Sequence, residues 1–237
     1  MKYLKITLFL FTTALISCTD ALLGDEGELD EDIYLNYQTK TDLELPFDEE
    51  YYVFAGGRTH VDGAHHFITH LQGQRYAYDL SIVIDNRSFP KGTDPKQNES
   101  HYGFGQPLNA PADGKIISLE NNIDDNYISG VVNSNINDNN LGGNYVMIDH
   151  FNGEYSLMAH LKKGSIVVNI GDLVTKGQKI GELGNSGNST GPHLHYHLQN
   201  TPNYLNGLGL PAQFNNYYED DVFIERGEPV KGQKVRN

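Results

Sequence analysis

Gly184-Asn-Ser-Gly-Asn-Ser-Thr-Gly-Pro-His193-Leu-His195-Tyr-His197 joins a run of turn-forming residues to three histidines at every second position. In an extended strand the side chains at i, i+2 and i+4 line one face, and each residue advances the chain by about 3.3 Å. His193 and His195 therefore stand roughly 6.6 Å apart along one face, which suits one direct metal ligand and one neighbour acting on its bound water. The glycine, asparagine and serine residues before them predict a tight loop that delivers the chain into the strand. His197 continues the same face, and nothing local decides whether it reaches the site. Taken alone, the run also fits a surface strand of solvated imidazoles, although histidine is the commonest metal ligand.

The upstream sequence supplies context. Gly143-Asn-Tyr-Val-Met-Ile-Asp-His150 alternates as a strand, and Gly153-Glu-Tyr-Ser-Leu-Met-Ala-His160-Leu161 follows after a short turn. Residues 165–181 continue the pattern. Short strands separated by glycine turns are the mark of an all-β sandwich or barrel.

Four ordered blocks carry a family resemblance: Gln106-Pro-Leu-Asn-Ala-Pro-Ala-Asp-Gly-Lys-Ile-Ile117, Met158-Ala-His160-Leu, Val174-Thr-Lys-Gly-Gln-Lys-Ile-Gly181 and the segment ending at His195. From about residue 46 to residue 199 the chain resembles the lysostaphin-type (LytM-like) zinc metallopeptidases, which cleave peptidoglycan cross-bridges. The resemblance implies an all-β fold, an antiparallel β-sheet sandwich or open barrel with long polar loops. It also implies one zinc ion, with His195 as a ligand and His193 and His160 as the catalytic pair. Asp79, in Gln74-Arg-Tyr-Ala-Tyr-Asp79-Leu, matches the family's aspartate ligand; a carboxylate ending an apolar strand is costly to bury unpaired. A solvated aspartate at a strand end is the plainer alternative.

The first histidine ligand departs from the usual pattern, because Arg75 stands four residues before Asp79 where the family carries histidine. A variant branch places it upstream after a Gly-Gly pair, as in Ala55-Gly56-Gly57-Arg58 followed by Ala64-His65-His66-Phe67. A hairpin turning at Leu71-Gln-Gly-Gln74 would set His66 opposite Asp79, so His66 is the chosen ligand. A one-residue slip would favour His65, and His70 is a further alternative. His60, His101 and His150 read as loop or surface residues.

Such a ligand set leaves one tetrahedral position for water, whose pKa falls toward about 7 on zinc. The expected reaction is hydrolysis of an amide in peptidoglycan stems or cross-bridges, with His160 or His193 carrying the proton to the leaving amine. Two other readings compete. One is a non-catalytic module of the same fold that activates a cell-wall amidase, an envelope partner that such a regulator would need. The other is a lipoyl-like carrier, suggested by the 174–181 block, which lacks the Met-Lys hairpin that carriers modify.

The N-terminus predicts the compartment. Met1-Lys-Tyr-Leu-Lys5 is basic, Ile6 to Ile16 is an apolar run of eleven residues, and Leu15-Ile-Ser-Cys18 has the form of a bacterial lipobox. The run is too short to span a membrane and reads as a cleaved signal. Cys18, the single cysteine, is then the first mature residue and carries lipid that anchors the chain to a membrane face of the cell envelope. The expected organisation is a signal peptide over 1–17, an acidic tether over 18–45 containing Asp25-Glu-Gly-Glu-Leu-Asp-Glu-Asp32, and one metallopeptidase domain over 46–237. The net charge of −14, which becomes −16 when Lys2 and Lys5 leave with the leader, argues against a nucleic-acid partner. Two polar insertions, 85–102 and 120–142, read as long loops beside the substrate groove, where Tyr102 and Tyr127 are candidates to touch glycan or peptide. Residues 203–237 are expected to wrap the domain with one short strand near Gly227-Glu-Pro-Val230.

Overall fold

β-branched and aromatic runs between glycine turns form strands, and among the described residues no α-helix forms. A computed structural model describes residues 34–59, 61–63, 72–137 and 139–237. The leader, Cys18, the acidic run 25–32, and His60, His65, His66 and His70 lie outside the described residues. The strands are β1 (Tyr51–Ala55), β2 (Tyr78–Ser81), β3 (Pro107–Asn109), β4 (Gly114–Glu120), β5 (Asn144–Asp149), β6 (Tyr155–Leu161) and β7 (Leu173–Val174). They continue with β8 (Lys179–Glu182), β9 (Leu194–Gln199), β10 (Gly209–Leu210), β11 (Phe214–Glu219), β12 (Val222–Gly227) and β13 (Lys234–Arg236).

The expected all-β, antiparallel architecture forms as one eleven-stranded sheet in the order β12-β11-β13-β1-β2-β9-β6-β5-β4-β7, with β10 also on β9. A separate ribbon pairs β3 with β8. β9 lies near the centre, between β6 on one edge and β2 and β10 on the other. Its alternation sorts the sequence by face. Leu194, Tyr196 and Leu198 join the main core with Tyr78, Leu80, Val146, Met158 and Phe214, and the ribbon adds Leu108 and Ile180. Burying each large apolar side chain contributes about 1.5–3 kcal/mol. On the reverse face, Met147, Leu157 and Ala159 form a smaller cluster. That is the face on which His195 stands, because Ala159 is its register partner across β6 and β9.

Three expectations change. Residues 39–45, assigned to a tether, belong to the folded unit: Leu43 and Leu45 are buried, and Leu43 bridges to Phe214. The buried Glu154 carboxylate ties them down, accepting hydrogen bonds from Tyr37 Oη (2.6 Å), Lys40 N (2.8 Å), Thr41 N (2.8 Å) and Thr41 Oγ1 (2.5 Å). The C-terminal stretch contributes four strands, β10 to β13; in β11 Phe214 and Tyr217, three residues apart, are both buried, with the left-handed Asn216 (φ 53°) between them breaking the alternation, and the strand pairs with both β12 and β13. His150 is buried rather than superficial: its Nδ1–H donates to the Asp113 carbonyl (2.8 Å), and its Nε2 accepts from Ser156 Oγ (2.8 Å). Among the described residues, no helix is long and apolar enough to cross a membrane.

Candidate metal and catalytic centre

β2 and β9 bring the first two site residues together, since Asp79 and His195 are direct register partners across an antiparallel pair. His195 Nδ1 lies 3.0 Å from Asp79 Oδ1, and His193 Nε2 lies 3.5 Å from the same oxygen. Ser81 Oγ donates to the Pro192 carbonyl at 2.8 Å and pins the entry to β9.

His160 arrives by a different route. Met158 faces the main core and Ala159 the reverse face, so strict alternation would return His160 to the core. Instead the β5–β6 ladder slips between Asn144 and Val146, and His160 takes a left-handed backbone with φ of 62°. Leu161 then resumes on the core side. A β-bulge of this kind re-aims one side chain, and a non-glycine residue held in that region costs roughly 1–3 kcal/mol. The His160 ring comes to 4.8 Å from that of His193 and 5.7 Å from that of His195, centroid to centroid.

The glycine- and serine-rich loop 185–192 orients the pair. His160 Nδ1–H donates to the Ser186 carbonyl (2.8 Å) and His193 Nδ1–H to the Gly191 carbonyl (2.8 Å), which leaves the Nε2 lone pair of each ring for chemistry. Gly187, with φ of 75°, lies so close to the 141–143 turn that a Cβ there would stand 2.3 Å from Gly143 N. Burial, together with the neighbouring His193 and His195, holds the His160 imidazole well below its ordinary pKa, so it is neutral at neutral pH. At His193 burial acts in the same direction, but the Asp79 carboxylate outweighs it and the pKa rises.

A buried amide network that the sequence reading missed braces this loop. Asn126 Nδ2 faces the carbonyls of Asn185 (2.8 Å), Gly187 (3.0 Å) and Ser189 (2.7 Å), while its Oδ1 accepts from Asn133 N (2.8 Å). Asn98 Nδ2 donates to the Asn126 carbonyl, and Asn185 Nδ2 donates to Asn98 Oδ1. The two polar insertions thus supply Asn98 and Asn126 as structural parts of the site. Their asparagine density was the available signal, and it reads as loop polarity until contacts are seen.

A groove opens beside Asp79 and His193, walled by Phe54, Ser88, His101 and Thr190. His101 is a loop residue as expected, with its ring edge-on to Phe89 and Nε2 donating to the Pro95 carbonyl. Tyr102 packs against the main core, and the exposed Tyr127 lines a second hollow with Asp124, Asp125 and Lys163.

Asp79 Oδ1 and His195 Nδ1 fit a divalent ion. Two donors about 2.0–2.1 Å from one tetrahedral ion stand about 3.3 Å apart, close to the separation they already hold. No group of three metal-binding side chains occurs among the described residues. The hairpin that set His66 opposite Asp79 does not form at β2: Asp79 pairs with Ala55 on one edge and His195 on the other, because β1 and β9 occupy both sides.

The stretch from 99 to 207, which holds His160, His193 and His195, matches the model of peptidase family M23. Residues 99–207 belong to that family. The chain is similar to the peptidoglycan DD-endopeptidase ShyA of Vibrio cholerae, at 34% identity over 133 residues, 53% of this chain and 26% of that protein. It is also similar to the DD-carboxypeptidase/endopeptidase Mpg of Neisseria meningitidis, at 50% identity over 54 residues, 23% of this chain and 12% of that one. This chain therefore spans about a quarter or less of the length of these relatives. Among solved structures, a zinc containing peptidase from Vibrio cholerae aligns with a TM-score of 0.41 at 22% identity, covering 72% of this chain and 39% of that one. Asp79 lies before the matched M23 stretch, and only the β2–β9 pairing brings it to the histidines.

Proposed function

We propose that the chain is a zinc metalloendopeptidase of the bacterial cell envelope that hydrolyses peptide bonds in peptidoglycan stems or cross-bridges. The observation that carries this reading is the convergence of Asp79, His160, His193 and His195 beside an open groove that Asp79 and His193 line. The relatives' names, peptidoglycan DD-endopeptidase for ShyA and DD-carboxypeptidase/endopeptidase for Mpg, direct the choice of substrate. Asp79 and His195 would hold the ion with one further histidine, for which we keep His66, with His65 and His70 as the alternatives, although the pairing of Asp79 with Ala55 removes the hairpin register that ranked them. A histidine and carboxylate set without thiolate suits zinc.

A zinc ion held by Asp79 and His195 would supply Lewis-acid polarisation of the scissile carbonyl and a water whose pKa is lowered toward about 7. The chain's own residues move the proton. With Nδ1–H of His160 and His193 committed to backbone carbonyls, Nε2 on each ring is the atom that takes the proton from the attacking water and returns it to the leaving amine. Phe54, His101 and Thr190 wall the approach along which the peptide would lie. We read residues 1–17 as the signal and Cys18 as the lipid-bearing residue that holds the domain at a membrane face.

Mass spectrometry of peptidoglycan after incubation with the full chain, with zinc or with chelator, tests the activity. New peptide ends that vanish with chelator support it; intact stems with folded, zinc-loaded protein refute it. Replacing His65, His66 and His70 singly by alanine and titrating zinc tests the ligand choice, and loss at His65 or His70 instead of His66 overturns it. Absence of a lipid mass on Cys18 in membrane-extracted protein would remove the anchor.

A further inference from the structure

His195, His197 and Gln199 share the reverse face of β9 and form a chain of side-chain contacts leading away from Asp79. His195 Nε2 lies 3.1 Å from His197 Nδ1, and His197 Nε2 lies 3.0 Å from Gln199 Oε1. The far end fixes the direction. Gln199 Nε2 donates to the carbonyls of Thr201 (2.6 Å) and Asn203 (2.9 Å), so both amide protons are used there and Oε1 faces His197 as an acceptor. His197 must therefore carry a proton on Nε2. With Nε2–H given to Gln199, an imidazole holding that single proton presents a lone pair at Nδ1, and His195 Nε2–H is the donor that fits the 3.1 Å contact. His195 Nδ1 is then the lone-pair atom, and it is the nitrogen that faces Asp79.

Gln199 is itself wedged in place. A Cβ on Gly207 would stand 2.5 Å from Gln199 Cδ, so the absent side chain at 207 makes room for the amide. The three β9 residues are buried, and the register with β6 and β2 leaves them no alternative face.

We propose that His197 and Gln199 are positioning residues that lock His195 in the Nε2–H tautomer, so that Nδ1 is the nitrogen presented with Asp79 to the metal. The inference rests on the metal site proposed above. Hydrogen bonds of this kind to a ligating imidazole orient the ring and raise its basicity, and their loss typically costs 10- to 100-fold in metal affinity. Asn at 197 can place its Oδ1 where the imidazole Nδ1 sits and accept from His195; Phe fills the space without an acceptor. Gly207→Ala disturbs the relay from its far end without altering any histidine.

The deciding experiment is long-range proton–nitrogen NMR of the full chain labelled with 15N-histidine and loaded with zinc, alongside zinc affinities from chelator competition. The expected spectrum shows His195 protonated at Nε2 with a metal-shifted Nδ1. The expected affinities fall about 10- to 100-fold in His197→Phe and Gly207→Ala and recover in His197→Asn. A metal-shifted Nε2 on His195 overturns the relay in the unmodified protein, whether or not any variant folds. Unchanged affinity in a folded His197→Phe overturns it as well. If the unmodified chain fails to bind zinc, or binds it undiminished after Asp79→Ala, it is the metal site that fails.

Discussion

Asn126→Ala is the perturbation that best separates the scaffold of the site from its chemistry. The side chain is fully buried and touches neither groove nor histidine, yet its amide faces three carbonyls of the loop that orients His160 and His193. After truncation the Asn185 carbonyl keeps Asn126 N (2.9 Å) and the Gly187 carbonyl keeps Ser189 N (3.0 Å). The Ser189 carbonyl and the Asn133 N–H lose the partners they have. An orphaned buried polar group costs about 1–3 kcal/mol, so two of them, partly relieved by water, predict a loss of about 3 kcal/mol. For a chain of this size, that lowers the melting temperature by roughly 6–12 °C. Urea denaturation and calorimetry read this directly. Activity measured well below the new melting point should also fall, by up to about 100-fold if Ser186 and Gly191 shift by an ångström. A stability loss below about 1 kcal/mol with full activity would refute the view that this amide braces the site.

Three further outcomes follow from the geometry. Asp79→Ala should abolish zinc binding and activity together, whereas His160→Ala should keep zinc while kcat falls about 10²- to 10⁴-fold; zinc titration beside a peptidoglycan assay separates the two roles. Burial keeps His150 neutral by lowering its pKa. Above its ordinary value of about 6.5 neither folded nor unfolded chain is protonated there, and as the pH falls below it the unfolded state gains the proton first, so stability drops. His160 acts in the same direction and His193 in the opposite one, so the contrast between wild type and His150→Gln in urea melts at pH 7.5 and 5.5 isolates His150; equal pH slopes would contradict its neutral state. Glu154→Ala removes the carboxylate on which Lys40 N, Thr41 N, Thr41 Oγ1 and Tyr37 Oη converge, and should cost about 3 kcal/mol or more and open residues 39–45 to protease; unchanged proteolysis would show the segment is held some other way.

The strand alternation around His193-Leu-His195-Tyr-His197 was legible because period-two patterning is local: it put Leu194 and Tyr196 in the core and the histidines together on the other face. The family resemblance likewise marked Asp79, His160, His193 and His195, and turn-forming composition marked the glycine-rich loop before β9. Long-range register was not legible. The expected hairpin opposite Asp79 is replaced by Ala55 of β1 and His195 of β9, since nothing in a strand's own sequence names its neighbours. His160 reaches the site only through a bulge and a left-handed φ, which break the alternation that sequence reading depends on. Asn98 and Asn126 look like loop polarity until folding buries them, and residues 39–45 look like tether until Glu154, more than a hundred positions away, accepts their hydrogen bonds. The sequence by itself determined which residue types stand on which face of a regularly alternating strand such as β9, because that is fixed by covalent spacing. Only the tertiary structure decided which strands meet, which carbonyl holds which imidazole nitrogen and hence which nitrogen of His160 and His193 keeps its lone pair, because those depend on how the folded chain brings backbone and side chain together.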